Sequence, residues 1–295
     1  MQLKQAVDAA YKRFVENDVP SPRLNAELLM MFILGRDRSY LFAHPERELS
    51  APEQEEYEEV INQRARGCPT QYITGHQEFW GLDLLVSPAV LIPRPETEHL
   101  VETALELVQS YYQEHQAVDF PLIRILDVGS GSGAIALALA SELPKAEIHG
   151  CDISEDALEM ARINAARLGL GSRVLFRKSD LLETYTGDTP FDLMVANPPY
   201  VGESEADKVQ KQVREFEPKI AVFCGQDGMD VYRRLIPQAR EHLRAGGWLV
   251  MEIGYSSEAK VKELLASQAG WSSVQTNADL QGIPRVVAAK KNVSD

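Results

Sequence analysis

The sequence runs to 295 residues, 44% hydrophobic and 25% charged, the balance of an ordinary globular protein with chain enough for two domains. Its 30 Lys and Arg against 44 Asp and Glu leave a formal charge of −14, which argues against a broad nucleic-acid surface, because holding phosphates takes a surplus of cations. There is no run of about 18 apolar residues to span a membrane and no secretory signal, and Cys68, Cys151 and Cys224 form no CxxC pair, the pattern of reduced thiols in a cytoplasmic protein.

Residues 1–75 carry helix-period patterns. Val7, Ala10, Tyr11 and Phe14 recur at three- and four-residue spacing. Ser21-Pro22 suits a second helix start, with Leu24, Leu28, Leu29, Phe32 and Ile33 as its apolar residues, and Ser50-Ala-Pro-Glu53 opens a third helix. A small helical domain is expected here. Over 76–95 the texture changes to aromatic and branched residues with Trp80-Gly81 as a turn, predicting a β-hairpin connector stopped by Pro93-Arg94-Pro95. A further helix starts at Glu96-Thr97-Glu98.

From about residue 120 strands and helices alternate. Apolar runs at 123–128, 146–152, 191–197 and 247–253 read as strands buried on both faces, with RVLFRKSD, WSSVQT and RVVAAK supplying others. The expected fold class is therefore α/β, a mostly parallel, doubly wound sheet filling residues 96–295. His76, His99 and His149 are not spaced as metal ligands, so no metal site is expected.

Three elements carry chemistry. The run Asp127-Val-Gly129-Ser130-Gly131-Ser132-Gly133 follows a strand and opens a helix, where glycine lets the backbone turn sharply and a ligand approach closely. Asp152 ends the next strand, about 20 residues on, where a carboxylate accepts both hydroxyls of a ribose. Nicotinamide and S-adenosylmethionine enzymes both use this pair of elements. The fourth strand of this region, FDLMVA, runs into Asn197-Pro198-Pro199-Tyr200 at the ligand edge of the sheet. An amide nitrogen is a poor nucleophile because its lone pair is delocalised into the carbonyl, the same resonance that stiffens a peptide bond. Methylating it calls for acceptors that take its N–H groups and aim it: the Asn197 side-chain carbonyl and the Pro198 backbone carbonyl. Prolines add no competing donors, and Tyr200 can cover the planar face.

Taken with Gly67-Cys-Pro-Thr-Gln-Tyr-Ile-Thr-Gly75, Leu91-Ile-Pro-Arg-Pro-Glu-Thr-Glu98, Phe216-Glu-Pro218, Gly225-Gln-Asp-Gly228, Glu252-Ile-Gly254 and Gly282-Ile-Pro-Arg285, these motifs make nearly the whole chain resemble the HemK/PrmC-type protein-glutamine N5-methyltransferases that modify peptide chain release factors. The resemblance implies a Rossmann-like class I methyltransferase domain behind a helical substrate-recognition domain. It implies S-adenosylmethionine as donor, S-adenosylhomocysteine as product, and the glutamine of the release factors' Gly-Gly-Gln motif as acceptor. It sets Gly129, Ser130, Gly131, Ser132 and Gly133 against the donor's amino-acid portion, Asp152 on its ribose and Asp180-Leu181 near its adenine. Leu181 departs from the aromatic common at that position. Asn197, Pro198, Pro199 and Tyr200 would hold the glutamine amide, with Asn197 also touching the donor. A monomer without stable nucleic-acid binding is expected. The rival readings are a nucleic-acid adenine methyltransferase, a ribosomal-protein glutamine methyltransferase and a nicotinamide oxidoreductase.

Overall fold

The computed structural model describes residues 1–114 and 122–293, so parts of the expected 96–295 domain (115–121 and 294–295) lie outside the described residues. The chain forms two compact units, Met1–His76 with Gln210–Phe216, and Gln77–Val209 with Glu217–Asp295. No described helix is long and apolar enough to cross a membrane.

In the first unit the helices Leu3–Glu16, Pro22–Leu34 and Ala51–Ala65 bury Phe14, Leu29, Met30, Tyr57 and Ile61. Ser50 and Glu53 cap the third helix reciprocally, satisfying N–H groups that the helix cannot satisfy itself. Helix 22–34 corrects the pattern read from sequence. It is apolar almost all round, and the face it buries holds Ala26, Leu29 and Met30, while Leu24, Leu28 and Phe32 are exposed. A helix with apolar residues on every side gives periodicity nothing to choose between. A short unpredicted helix, Arg38–Ala43, starts where the Asp37 carboxylate accepts the Tyr40 N–H at 2.8 Å.

A hairpin follows, β1 (His76–Phe79) and β2 (Leu82–Leu85), turning at Trp80-Gly81 with both residues in left-handed backbone geometry. Trp80 is held there by its backbone N–H to Glu98 and its indole N–H to Glu142, each at 2.9 Å. A seven-stranded sheet follows: β3 (Arg124–Val128), β4 (Glu147–Asp152), β5 (Val174–Lys178), β6 (Phe191–Ala196), β7 (Leu243–Glu252), β8 (Trp271–Ala278) and β9 (Pro284–Lys291), in the order β5-β4-β3-β6-β7-β9-β8. The first five strands pair in parallel; β9 and β8 close one side antiparallel, so the sheet is mixed. Alternate side chains of each strand enter separate cores on the two faces: Ile125, Leu193 and Val195 on one, Leu126, Met194 and Ala196 on the other.

The chain builds outward from β3 through β4 to β5, then returns to lay β6 on the other side of β3. That reversal opens a crevice at the carboxyl ends of β3 and β6. The register decides what meets there. Cys151, Val128, Ala196 and Met251 form one row across β4, β3, β6 and β7. The next residue of each strand is Asp152, Gly129, Asn197 and Glu252.

Candidate active site

A cleft of about 250 Å³ opens at this edge, walled by Gly129, Gly131, Asp152, Leu181, Asn197 and Pro199, with Ser130, Ser132 and Asp180 also on its surface. Gly129 and Gly131 are left-handed (φ +78° and +54°), and no atom lies within 4 Å of where a Cβ on either would sit. Side chains there would occupy the cleft. Gly133 lies off the wall. Its missing Cβ makes room for Ala161 and Leu137, at 3.1 and 3.2 Å from that position, so it is a packing glycine at the start of helix Ala134–Glu142. Asn164, fully buried, ties the loop to the hairpin: its Nδ2 donates to the carbonyls of Ser132 and Leu85, and its Oδ1 accepts the Leu85 N–H.

Asp152 holds the loop from the other side, its carboxylate oxygens accepting the N–H groups of Gly131 and Ser154 at 2.9 Å each. Each oxygen has a second lone pair left for a ligand hydroxyl. Burial lifts its pKa, against the pull of those N–H groups. Asp180 pairs with Arg234 at 2.8 Å, and the neighbouring Leu181 takes a left-handed conformation at φ +50°.

At the next strand end Asn197 is half-buried. Its Nδ2 donates to Thr97 Oγ1 at 3.1 Å, and its Oδ1 has no hydrogen-bond partner among the described residues. Thr97 in turn donates to Glu252 Oε2 at 2.6 Å, and the Tyr200 hydroxyl reaches Glu252 Oε1 at 3.5 Å. Glu252 is fully enclosed. Burial first, and then the repulsion of Glu96, push its pKa up to about 7, against the hydrogen bonds of Thr97 and Tyr200 and the charge of Arg285. Burial and the Glu252 charge raise the Tyr200 phenol well above its ordinary value. Pro199 lines the cleft, and Pro198 and Tyr200 are not among its lining residues.

Thr97 and Asp127 are the parts of this arrangement that the sequence did not single out. Thr97 sits inside the Arg94-Pro-Glu-Thr97 run but carried no assigned role. Arg94 lines the cleft and pairs with the buried Glu217, which also accepts the Ile92 N–H at 3.2 Å, so that pairing anchors the strap 91–98. Asp127 is buried beneath the glycine loop. Its Oδ2 accepts the Ala136 N–H at 3.2 Å, its Oδ1 has no hydrogen-bond partner among the described residues, and burial raises its pKa to about 7. A carboxylate in an apolar strand next to a glycine loop was the available signal for it.

Gly228 shows why the 225–228 motif matters here. A Cβ on it would stand 2.2 Å from the backbone carbonyl oxygen of Tyr200, and φ is +75°. Gly228→Ala should therefore displace the 197–200 loop and lower the unfolding free energy by about 1–3 kcal/mol or more. Denaturant melts check the stability, and turnover should fall with it.

A PrmC N-terminal domain model matches residues 5–75, and a methyltransferase domain model matches residues 119–279. The release factor glutamine methyltransferase of Koribacter versatilis is 54% identical over 294 residues, covering 100% of both chains. That of Bradyrhizobium diazoefficiens is 43% identical over 268 residues, 91% of this chain and 88% of its own. Among solved structures, the hMettl16 catalytic domain in complex with an RNA hairpin aligns over 80% of this chain and 82% of its own, with a TM-score of 0.57 and 19% identity, a likeness of fold alone.

Proposed function

The chain belongs to the release factor glutamine methyltransferases, and on that premise we propose that it moves a methyl group from S-adenosylmethionine to the side-chain amide nitrogen, N5, of the glutamine in the Gly-Gly-Gln motif of peptide chain release factors. The observation that carries this reading is the row Asp152, Gly129, Asn197 and Glu252. Along one sheet edge lie a carboxylate with spare lone pairs, a loop free of Cβ atoms and an amide oxygen without a partner among the described residues, which supports a nucleoside-bearing donor beside an amide acceptor.

The residues fit the donor. The open space where Gly129 and Gly131 lack a Cβ suits a ligand backbone; with Ser130 and Ser132 they would hold its amino-acid portion, while Gly133 lets the loop pack closely behind them. The spare lone pairs of Asp152 match a ribose diol, and Asp180 and Leu181 line the same cleft for the adenine. Leucine there offers apolar contact without ring stacking. S-adenosylmethionine supplies a methyl bound to a sulfonium, which is electrophilic enough to react with a weak nucleophile, and leaves as S-adenosylhomocysteine.

What this chain's residues contribute is orientation. Asn197 Oδ1 and the Pro198 carbonyl accept the two N–H groups of the glutamine amide, Pro199 walls the cleft beside them, and Tyr200 supplies an aromatic cover. Holding reactants in line contributes as much as about 7–11 kcal/mol in favourable cases. No strong base is needed before attack, because the methylated nitrogen becomes acidic and gives up its proton readily. The helical unit at 1–75 is the expected grip on the release factor, acting as a monomer in the cytoplasm without stable nucleic-acid binding.

Incubation with methyl-labelled S-adenosylmethionine and a release factor tests the reading. Label is expected on the wild-type factor and absent when its motif glutamine is replaced. Label that survives the replacement, or appears only on ribosomal protein or nucleic acid, overturns it.

A further inference from the structure

We infer that Thr97 and Glu252 are positioning residues that determine which end of the Asn197 amide faces the cleft. The inference rests on the glutamine reading above and adds to it how the acceptor is kept an acceptor. A carboxamide has two ends of nearly equal shape and opposite hydrogen-bonding sense. Turned over, Asn197 would point N–H groups at a substrate amide that also presents N–H groups. Nothing in its own strand prevents that.

The hydrogen-bond chain prevents it. Glu252, when ionised, can only accept, so the single proton of the Thr97 hydroxyl goes to Glu252 Oε2. The Thr97 lone pairs are then what Asn197 meets, and only its Nδ2 end can bind them. Oδ1 is left toward the substrate. Glu252 is itself fixed, since Tyr232 donates to its backbone carbonyl at 2.7 Å and Tyr200 lies 3.5 Å from Oε1. A protonated Glu252 could instead donate to Thr97. That would release the Thr97 proton toward Asn197 and favour the reversed amide. The groups bearing on this proton are Thr97 and Glu96 on the strap, Tyr200 in the 197–200 loop, Tyr232 on helix Asp230–His242 and Arg285 on β9. Their balance with burial leaves Glu252 titrating near 7.

Thr97→Val keeps the shape and removes the hydroxyl. It is expected to lower kcat for a release factor about 10²-fold, the scale of a misaligned reactant, while S-adenosylmethionine binding measured by calorimetry stays at the wild-type value. Thr97→Ser should restore turnover. Wild-type kcat should rise with pH through about 7, and the Glu252→Gln enzyme should lose that rise. One readout needs no turnover: the side-chain amide resonances of ¹⁵N-asparagine-labelled Asn197 should shift with pH near 7 in the wild type and not in Thr97→Val. Wild-type kcat in Thr97→Val, or Asn197 resonances unmoved by pH in the wild type, overturns the inference. An enzyme that labels no release factor sinks the substrate reading instead, and the resonances still decide the role of Thr97 and Glu252.

Discussion

Asn197→Ala is expected to lower kcat by about 10³-fold, the scale seen when one preorganised polar contact to a reacting group is removed, while S-adenosylmethionine binding changes by far less. The reasoning starts at the sheet edge. Asn197 follows Ala196, the last residue of β6, whose partners across the sheet are Val128 and Met251, so the residues one step on are Gly129 and Glu252. One N–H of its Nδ2 is committed to Thr97, and Oδ1 is the acceptor left for a substrate. Alanine removes that acceptor and leaves the proposed donor cradle, Gly129 to Gly131 and Asp152, untouched. Loss should therefore fall on kcat. Single-turnover kinetics with a release factor, beside calorimetric titration of the donor, separate the two. An equal loss of donor affinity and turnover would assign Asn197 to donor binding.

The second large effect is on stability, and its sign is opposite to that on activity. Asp127 and Glu252 are both enclosed, and burial raises each from its ordinary value to about 7. In the unfolded chain they release their protons near 3.8 and 4.5. Between those values and about 7 the folded protein holds protons that the unfolded chain has lost, so this contribution to stability is complete below about 4 and disappears as pH rises through 7. At about 1.4 kcal/mol per pH unit the ceiling is roughly 4 kcal/mol for Asp127 and somewhat less for Glu252. Unfolding free energy from denaturant melts should accordingly decline from about pH 4 to about pH 7, and Asp127→Asn should remove a substantial share of the decline. Parallel pH profiles for the wild type and Asp127→Asn would show that the acid is not the source. The ionisation of Glu252 that costs stability is also the one that orients Asn197.

Much of the site is legible in sequence because its determinants are local. A glycine-rich turn after an apolar strand needs backbone freedom that only glycine supplies at Gly129 and Gly131. Asn197-Pro-Pro-Tyr200 declares itself by ending a strand with residues that cannot continue a ladder. Other residues escape that kind of reading. Gly133 shares the spacing of its neighbours, yet packs against Ala161 and Leu137 rather than facing the cleft. Thr97 reads as one more residue at a helix start until Asn197, 100 positions away, and Glu252, 155 away, are brought to it. Leu24, Leu28 and Phe32 look as suited to a core as Ala26 and Leu29, and only packing separates them.

By itself the sequence determined the α/β alternation, the glycine turn, the acid after the second core strand and the Asn-Pro-Pro-Tyr tip, since each follows from backbone sterics and hydrophobic periodicity within a few residues. Strand order and register belonged to the tertiary structure. They align Asp152, Gly129, Asn197 and Glu252 in one row, bring Thr97 between two of them and press Gly228 against Tyr200. The physical reason is that a strand shifted by one residue turns its side chains to the opposite face. Which residues meet is therefore decided by how distant segments pack together, and no local pattern encodes it.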